Sequence, residues 1–297
     1  MGKDFFESSP VARDVFDRAD EVLGIALSKL CFEGPEELLN QTDISQPAIY
    51  VTSVACLTAA EAVGVVCGEA VTAYAGLSLG EYTALHLGGA FSFEDGLRLV
   101  AARGKYMQEA AVATPSSMIS IMGADEAAVH QLCEQSAQGE VLVPANFNAP
   151  GQIVVSGATA ACERVTRAAE SAGFKAIQLK VAGAFHSPLM QRGADRMATE
   201  LDKAQIRVPH TTVYANVTAQ PHADVASIKR PLVDQIVKPV RWEQTMQQLA
   251  PQPDARFVEL APGRVLTGLL KKINRRLPVE SLASVDALNA TRTGTRS

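Results

Sequence analysis

The chain has 297 residues, of which 47% are hydrophobic and 20% are charged, and its formal net charge is -5. This length and apolar content predict a globular chain with one large domain, or one domain that carries a subdomain. The negative charge argues against general nucleic-acid binding, and no apolar run reaches the about 18 residues of a membrane span. We therefore expect no nucleic-acid partner and no membrane partner.

The cysteines are odd in number and lack metal-ligand spacing. They are Cys31, Cys56, Cys67, Cys133 and Cys162. Because they lie in apolar or helical surroundings, we expect free or buried thiols in a reducing compartment, and no metal site.

The first hundred residues begin with two predicted helices. Ser9 and Pro10 favour a helix start, and the amphipathic helix that follows ends before Gly24. A second helix begins at Ser45-Gln-Pro47 and runs towards Gly64. It is apolar nearly all round, so we expect it to be buried.

A nucleophile elbow is predicted over Val71–Tyr82, where an apolar segment passes through Gly76-Leu-Ser78-Leu79-Gly80 into a helical pattern. In such a strand-to-helix turn the serine Oγ is held out above the sheet, and the glycines allow close backbone packing. The amide of Leu79 would start the next helix, where it favours a developing oxyanion. The alternative at this point is a glycine-rich turn with an incidental serine.

The next helix, signalled by Ser92-Phe-Glu-Asp95, carries a candidate anion-binding arginine. Arg103 shares an apolar stripe with Leu99 and Met107, where a charge costs free energy unless it meets an anion. The alternative is an arginine that reaches the surface or pairs with Glu109.

From about residue 113 to 182 the pattern changes to βαββαβ, which is the split order of a ferredoxin-like fold. The predicted strands are 118–122, 141–143, 153–155 and 175–181, and the predicted helices are 125–136 and 159–172. We expect an inserted subdomain in which Asn146–Gln152 is the turn between the middle strands.

His186 follows on a strand-to-helix loop, Ala182-Gly-Ala-Phe-His186-Ser-Pro188. It either takes part in catalysis or is an ordinary surface or core residue. The later predicted elements are a strand at 212–216, a helix at 228–237 that contains Gln235, a helix opening at 240–242, a strand at 256–260, a helix at 265–273 and a disordered tail at 289–297.

These motifs together resemble the malonyl-CoA:acyl carrier protein transacylase family over nearly the whole chain. The matching stretches are 76–84, 103–108, 146–157, 183–186, 216–219 and 262–268. The resemblance implies an α/β fold, with an α/β-hydrolase-like core of a central, mostly parallel sheet at 1–112 and 183–288, and the ferredoxin-like subdomain at 113–182. We expect the chain to be cytoplasmic, or in a plastid stroma if it comes from a plant or alga, since Leu77 resembles the plant and algal plastid type where bacterial members usually have histidine.

The resemblance implies roles for single residues. Ser78 matches the nucleophile, His186 the general base, Gln235 the glutamine whose carbonyl orients the histidine, Leu79 the oxyanion donor and Arg103 the arginine that binds the substrate carboxylate.

Three further residues are implied to bind substrate: Met107, Asn148 and Phe185. Phe185 resembles malonyl-selective members, since a bulky residue there crowds an α-methyl branch, whereas Asn148 either lines the pocket or shapes its turn. The implied substrate is malonyl-CoA, the acceptor is the phosphopantetheine thiol of acyl carrier protein, no cofactor is needed, and we expect a monomer.

The chain departs from the family at its start. Members carry a short strand and a Gly-Gln-Gly-x-Gln loop ahead of the segment that Met1-Gly2 matches, and an amide of that loop is their second oxyanion donor. Losing one such donor costs about 3–4 kcal/mol of transition-state stabilisation. The expectation is a truncated chain with the family fold and impaired activity.

Three alternatives stay open. A serine esterase or thioesterase would use the same elbow, but it should place an acidic triad member between Ser78 and His186 and has no evident use for Arg103. A polyketide acyltransferase acting in trans would differ only in its carrier protein. A catalytically dead member would dock carrier protein and form no acyl-enzyme.

Overall fold

The computed structural model describes residues 1–66, 68–251 and 255–294. The helices in these ranges are α1 (Lys3–Ser8), α2 (Pro10–Leu23), α3 (Leu27–Glu33), α4 (Glu36–Leu39), α5 (Thr42–Ala62), α6 (Gly80–Leu87), α7 (Phe93–Ala113), α8 (Glu126–Ala137), α9 (Thr159–Ser171), α10 (Gln191–Lys203), α11 (Ala226–Val237), α12 (Trp242–Leu249), α13 (Val265–Ile273) and α14 (Val285–Thr293). The strands are β1 (Ala73–Tyr74), β2 (Ser116–Met122), β3 (Leu142–Ala149), β4 (Gln152–Ala158), β5 (Lys175–Gln178), β6 (Thr212–Val213), β7 (Phe257–Leu260) and β8 (Val279–Leu282).

The chain divides into two compact units. The first comprises Met1–Gly104, Gln205–Val213 and Leu249–Ser297, and the second comprises Lys105–Ala204 and Tyr214–Gln248. The second unit is larger than the predicted subdomain at 113–182. One reason is that Val240 forms a parallel bridge with Asn146 at the edge of the four-stranded sheet, which ties later chain to that sheet.

The first unit contains two parallel strand pairs, β1 with β6 and β7 with β8. Its helix α2 begins where the sequence predicts, because Ser9 accepts the amide hydrogen of Ala12 and Pro10 occupies the first helical position. Helix α5 is buried nearly all round, as predicted, but it begins at Thr42 and carries Pro47 inside. The burial of this apolar helix outweighs the one backbone hydrogen bond that proline removes.

The second unit contains the predicted βαββαβ order as an antiparallel sheet with strand order β3-β4-β2-β5. Helices α8 and α9 cover one face, where apolar residues from both helices and the sheet form a common core. The opposite face buries Met118, Ala145 and Val154. The predicted turn at Asn146–Gln152 is wrong in extent, because β3 continues to Ala149 through two bulges.

The C-terminal part is more ordered than the sequence suggests. The predicted disordered tail begins inside α14, whose first turn is capped by Ser284 accepting the amide hydrogen of Ala287. Residues 295–297 of that tail lie outside the described residues.

Four of the predicted free thiols are free and buried in the structure: Cys31, Cys56, Cys133 and Cys162. Burial raises their pKa to about 11 or 12. The fifth, Cys67, lies outside the described residues.

Candidate active site

The elbow of the first unit has the strand, turn and helix that its sequence predicts, with β1 before Ser78 and α6 after it. Ser78 is half-buried and has a φ of 53°, a left-handed conformation that non-glycine residues seldom adopt. A Cβ at Gly76 would lie 2.0 Å from the backbone carbonyl of Gly80, so the turn requires glycine there. The bend therefore holds the serine at the start of a helix in a fixed, strained geometry.

The backbone amides that follow Ser78 differ in whether they already donate a hydrogen bond. Those of Gly80, Glu81 and Tyr82 donate back to carbonyls one turn earlier. Within the part of the chain that the structure describes, no acceptor takes the amide hydrogen of Leu79. Because Leu79 immediately precedes α6, this donor lies at the positive end of the helix dipole and is suited to an oxyanion.

Arg103 on α7 lies beside the serine. Its Nη2 donates to Ser78 Oγ at 3.0 Å, and its Nη1 donates to Gln46 Oε1 at 2.5 Å. Its guanidinium lies 5.6 Å from the ring centroid of Tyr82. The side chain is only 1% exposed, and burial lowers its pKa while Tyr82 and Glu81 oppose this shift. Both alternatives are wrong: Arg103 does not reach the surface, and Glu109 binds Arg196 instead.

His186 in the second unit has a defined hydrogen bond. The imidazole is 4% exposed, and its Nδ1 lies 2.6 Å from the main-chain carbonyl oxygen of Gln235. A carbonyl only accepts, so Nδ1 carries a hydrogen, and in the neutral imidazole the lone pair is then on Nε2. The backbone of His186 is left-handed, with a φ of 58°. The ring is therefore fixed in the tautomer that a general base needs.

The carbonyl of Gln235 is available because of its place in α11. This residue lies in the last turn of the helix, where carbonyl groups lack an intrahelical donor. Its side chain donates from Nε2 to Asn216 Oδ1 at 3.4 Å, and both residues are at most 1% exposed. Asn216 thus supports the element that orients the histidine.

The remaining predicted substrate residues all belong to the second unit. Met107 is 2% exposed on α7. Phe185 packs against the cluster of Met118, Ala145 and Val154. Asn148 is half-buried on β3, and no donor among the described residues reaches its Oδ1. Their roles towards substrate stay predictions.

Sequence reasoning missed Gln46 and assigned no role to Asn216. Gln46 is only 6% exposed, but α5 also contains Ser45, Thr52 and other polar residues, so no local pattern singled it out. Asn216 lay within a family-like stretch, but only the fold brings it to Gln235.

Among the described residues, no group of three or more histidine, cysteine, aspartate or glutamate side chains could hold a metal ion. None of the helices described is both long and apolar enough to cross a membrane. The candidate polar groups are a serine with an arginine in the first unit, and a histidine with a carbonyl in the second.

Comparison with known proteins identifies the family. The acyl transferase domain family matches residues 1–294. The malonyl CoA-acyl carrier protein transacylase of Bacillus subtilis is 39% identical over 290 residues, which are 97% of this chain and 90% of the relative.

Solved structures give the same result. The malonyl CoA-acyl carrier protein transacylase of Coxiella burnetii has a TM-score of 0.94 at 35% identity, covering 99% of this chain and 92% of the other. A complex of a type II polyketide synthase acyl carrier protein with its malonyl-transacylase has a TM-score of 0.94 at 37% identity, covering 99% and 94%. The chain belongs to the acyl transferase family, among the malonyl CoA-acyl carrier protein transacylases.

Proposed function

We propose that this chain transfers a malonyl group from malonyl-CoA to the phosphopantetheine thiol of an acyl carrier protein, in fatty-acid synthesis. The observation that carries the proposal is the hydrogen bond from Arg103 to Ser78 Oγ. It puts a buried cation beside the nucleophile, where the substrate's free carboxylate can be bound by two parallel hydrogen bonds. The names of the relatives support the same substrate and acceptor.

The first half-reaction forms an acyl-enzyme. Ser78 Oγ attacks the thioester carbonyl, and its proton passes to Nε2 of neutral His186. The amide of Leu79 stabilises the oxyanion. The carbon–sulfur bond then breaks, and the proton on Nε2 goes to the departing CoA thiolate. Malonyl-Ser78 and free CoA are the products.

The second half-reaction reverses these roles. The phosphopantetheine thiol gives its proton to His186 Nε2 and attacks the malonyl ester. The ester bond to Ser78 breaks, and Oγ takes the proton back. The balanced cycle uses no oxidant, metal or organic cofactor, which supports the proposal that none is required.

The carbonyl of Gln235 has a different effect from a triad carboxylate. It fixes the tautomer of His186, but as a neutral group it stabilises the imidazolium less. The first half-reaction tolerates this, because the CoA thiolate is a far better leaving group than an amine and needs less help from a protonated base.

The carrier protein is the proposed macromolecular partner. Exposed cations at the end of α13 suit an acidic carrier: Lys271, Lys272, Arg275 and Arg276. That the enzyme is a monomer, in the cytoplasm or, in a plant or alga, in the plastid stroma, stays a prediction that light scattering and fractionation would test.

Intact mass after incubation with malonyl-CoA tests the proposal. The wild type should gain one malonyl group, Ser78→Ala should gain none, and acetyl-CoA should label the wild type more slowly. A wild type that stays unlabelled would instead support a member that only docks carrier protein. Faster hydrolysis of acetyl or butyryl esters than malonyl transfer would support an esterase.

A second candidate function is loading of a polyketide carrier protein. The close match to a complex with a type II polyketide synthase carrier favours it. Competition between fatty-acid and polyketide carrier proteins for malonyl-Ser78, followed by mass, decides between the two. The kinetically preferred carrier identifies the pathway.

A further inference from the structure

The neighbours of the Arg103 guanidinium include a buried amide. Gln46 Oε1 accepts from Nη1 at 2.5 Å, and the side chains of Gln46 and Arg103 are 6% and 1% exposed. The oxygen of an amide carries a partial negative charge, although the amide group as a whole is neutral. It can therefore orient a guanidinium without cancelling its positive charge.

The approach of α7 to α5 makes this contact possible. A Cβ at Gly104 would lie 2.7 Å from the main-chain oxygen of Thr42 and 3.0 Å from the Cα of Asp43. Glycine therefore allows α7 to lie against the first turn of α5. Gln46 follows Thr42 by one helical turn, which brings its side chain to the residue before Gly104.

We propose that Gln46 is a positioning residue that aims the Arg103 guanidinium at the substrate carboxylate and, by remaining neutral, keeps that cation available for a dicarboxylic half-thioester. The inference rests on the proposed function, because it assigns the selectivity for a charged acyl group to the pair and not to Arg103 alone.

The chemistry of position 46 is what matters for this role. Glutamate has the shape of glutamine, but its carboxylate would form an ion pair with Arg103 and repel an incoming malonyl carboxylate. Methionine has a similar length without an amide, so it would leave the charge in place but remove the acceptor that holds Nη1. Loss of preorganisation lowers affinity and rate even where the charge is kept.

The test compares Gln46→Glu, Gln46→Met and Thr52→Val in single-turnover acylation of Ser78 by malonyl-CoA and by acetyl-CoA. Thr52 is a matched control, since it is a fully buried polar residue of the same helix and no acceptor or donor among the described residues reaches its Oγ1. Thermal unfolding of each variant is measured alongside.

We expect Gln46→Glu to lower the rate of malonyl acylation by about 100-fold and that of acetyl acylation by less than about threefold. The malonyl-to-acetyl rate ratio should therefore fall by more than about 30-fold. Gln46→Met should lower malonyl acylation by about tenfold. Thr52→Val should leave both rates unchanged.

Three results would overturn the inference. Equal losses for both acyl groups in a folded Gln46→Glu would make Gln46 merely structural, and unchanged rates would remove any role. If Gln46→Glu does not fold, a Gln46→Met variant with an unaltered malonyl-to-acetyl ratio has the same meaning. Failure of the proposed function itself is distinct, because the wild type would then take no malonyl group.

Discussion

Replacing Arg103 with methionine should remove the preference for malonyl-CoA without unfolding the protein. Two charge-assisted hydrogen bonds to the substrate carboxylate are lost, each contributing about 1.5–3 kcal/mol. Because about 1.4 kcal/mol is tenfold in rate, malonyl acylation should fall by about 10²–10⁴-fold. Acetyl-CoA has no carboxylate, so its acylation rate should change by less than about tenfold.

The same variant also tests the energetics of the buried charge. Burial lowers the pKa of Arg103, which means that the folded protein holds this cation at a cost. An apolar side chain of similar length removes that cost but also removes the Nη1 donor to the buried Gln46 Oε1, so the two effects oppose each other and the unfolding midpoint in urea should change little. Arg103→Lys should give an intermediate malonyl rate, because one ammonium cannot reproduce the fork that reaches both Gln46 and Ser78.

Quenched-flow mass spectrometry with both CoA esters measures the rates of Ser78 acylation. The malonyl-to-acetyl rate ratio of each variant then shows whether Arg103 recognises the carboxylate. Equal losses for malonyl and acetyl groups would show that Arg103 supports the elbow and does not recognise the carboxylate. A large fall in the unfolding midpoint would contradict the energetic part of the reasoning.

Gly76→Ala should lose acylation and destabilise the protein by more than about 2 kcal/mol in urea unfolding, because the added Cβ would meet the carbonyl of Gly80 at 2.0 Å; wild-type stability would contradict the close-packed turn. Glu259→Ala should lower stability by about 1–2 kcal/mol and leave the malonyl-to-acetyl ratio unchanged, since its carboxylate accepts two amide hydrogens at the start of α13 at 2.8 Å each. Burial lowers the pKa of His86 from 6.5, so the unfolded chain binds the proton more readily and stability should fall as the pH drops below about 6.5. His86→Gln should flatten that part of the pH–stability curve, and an unchanged slope would assign it to other groups.

The parts of the candidate site that were predictable are those with a local signal. Gly76 and Gly80 mark the bend around Ser78, and the capping pattern at Ser92 predicted the start of α7, where the Asp95 amide indeed donates to Ser92 Oγ at 3.1 Å. Apolar stripes at helical spacing likewise predicted that Arg103 is not a solvated residue. These features depend on backbone conformation within a few residues, so the sequence carries them directly.

The parts that were not predictable depend on contacts between distant segments. The hydrogen bond from Arg103 to Gln46 joins two helices through residues that are 57 positions apart in the sequence. The acceptor for His186 is a main-chain oxygen, which every residue possesses, so only the family resemblance pointed to Gln235. The extent of β3 was missed because its bulges break the strict alternation on which strand prediction depends.

The two residues with proposed catalytic roles, Ser78 and His186, both have a strained backbone. Ser78 and His186 have φ values of 53° and 58°, and glycine would adopt either conformation at less cost. Such strain costs about 1–3 kcal/mol at each position and persists only where surrounding structure enforces it. At Ser78 the enforcement is the packing of Gly76 against Gly80, and at His186 it includes the short bond to Gln235. Because a glycine at either position would relax the backbone but remove the reactive group, the strain is best understood as the stability that the fold gives up to hold a hydroxyl and an imidazole in fixed directions.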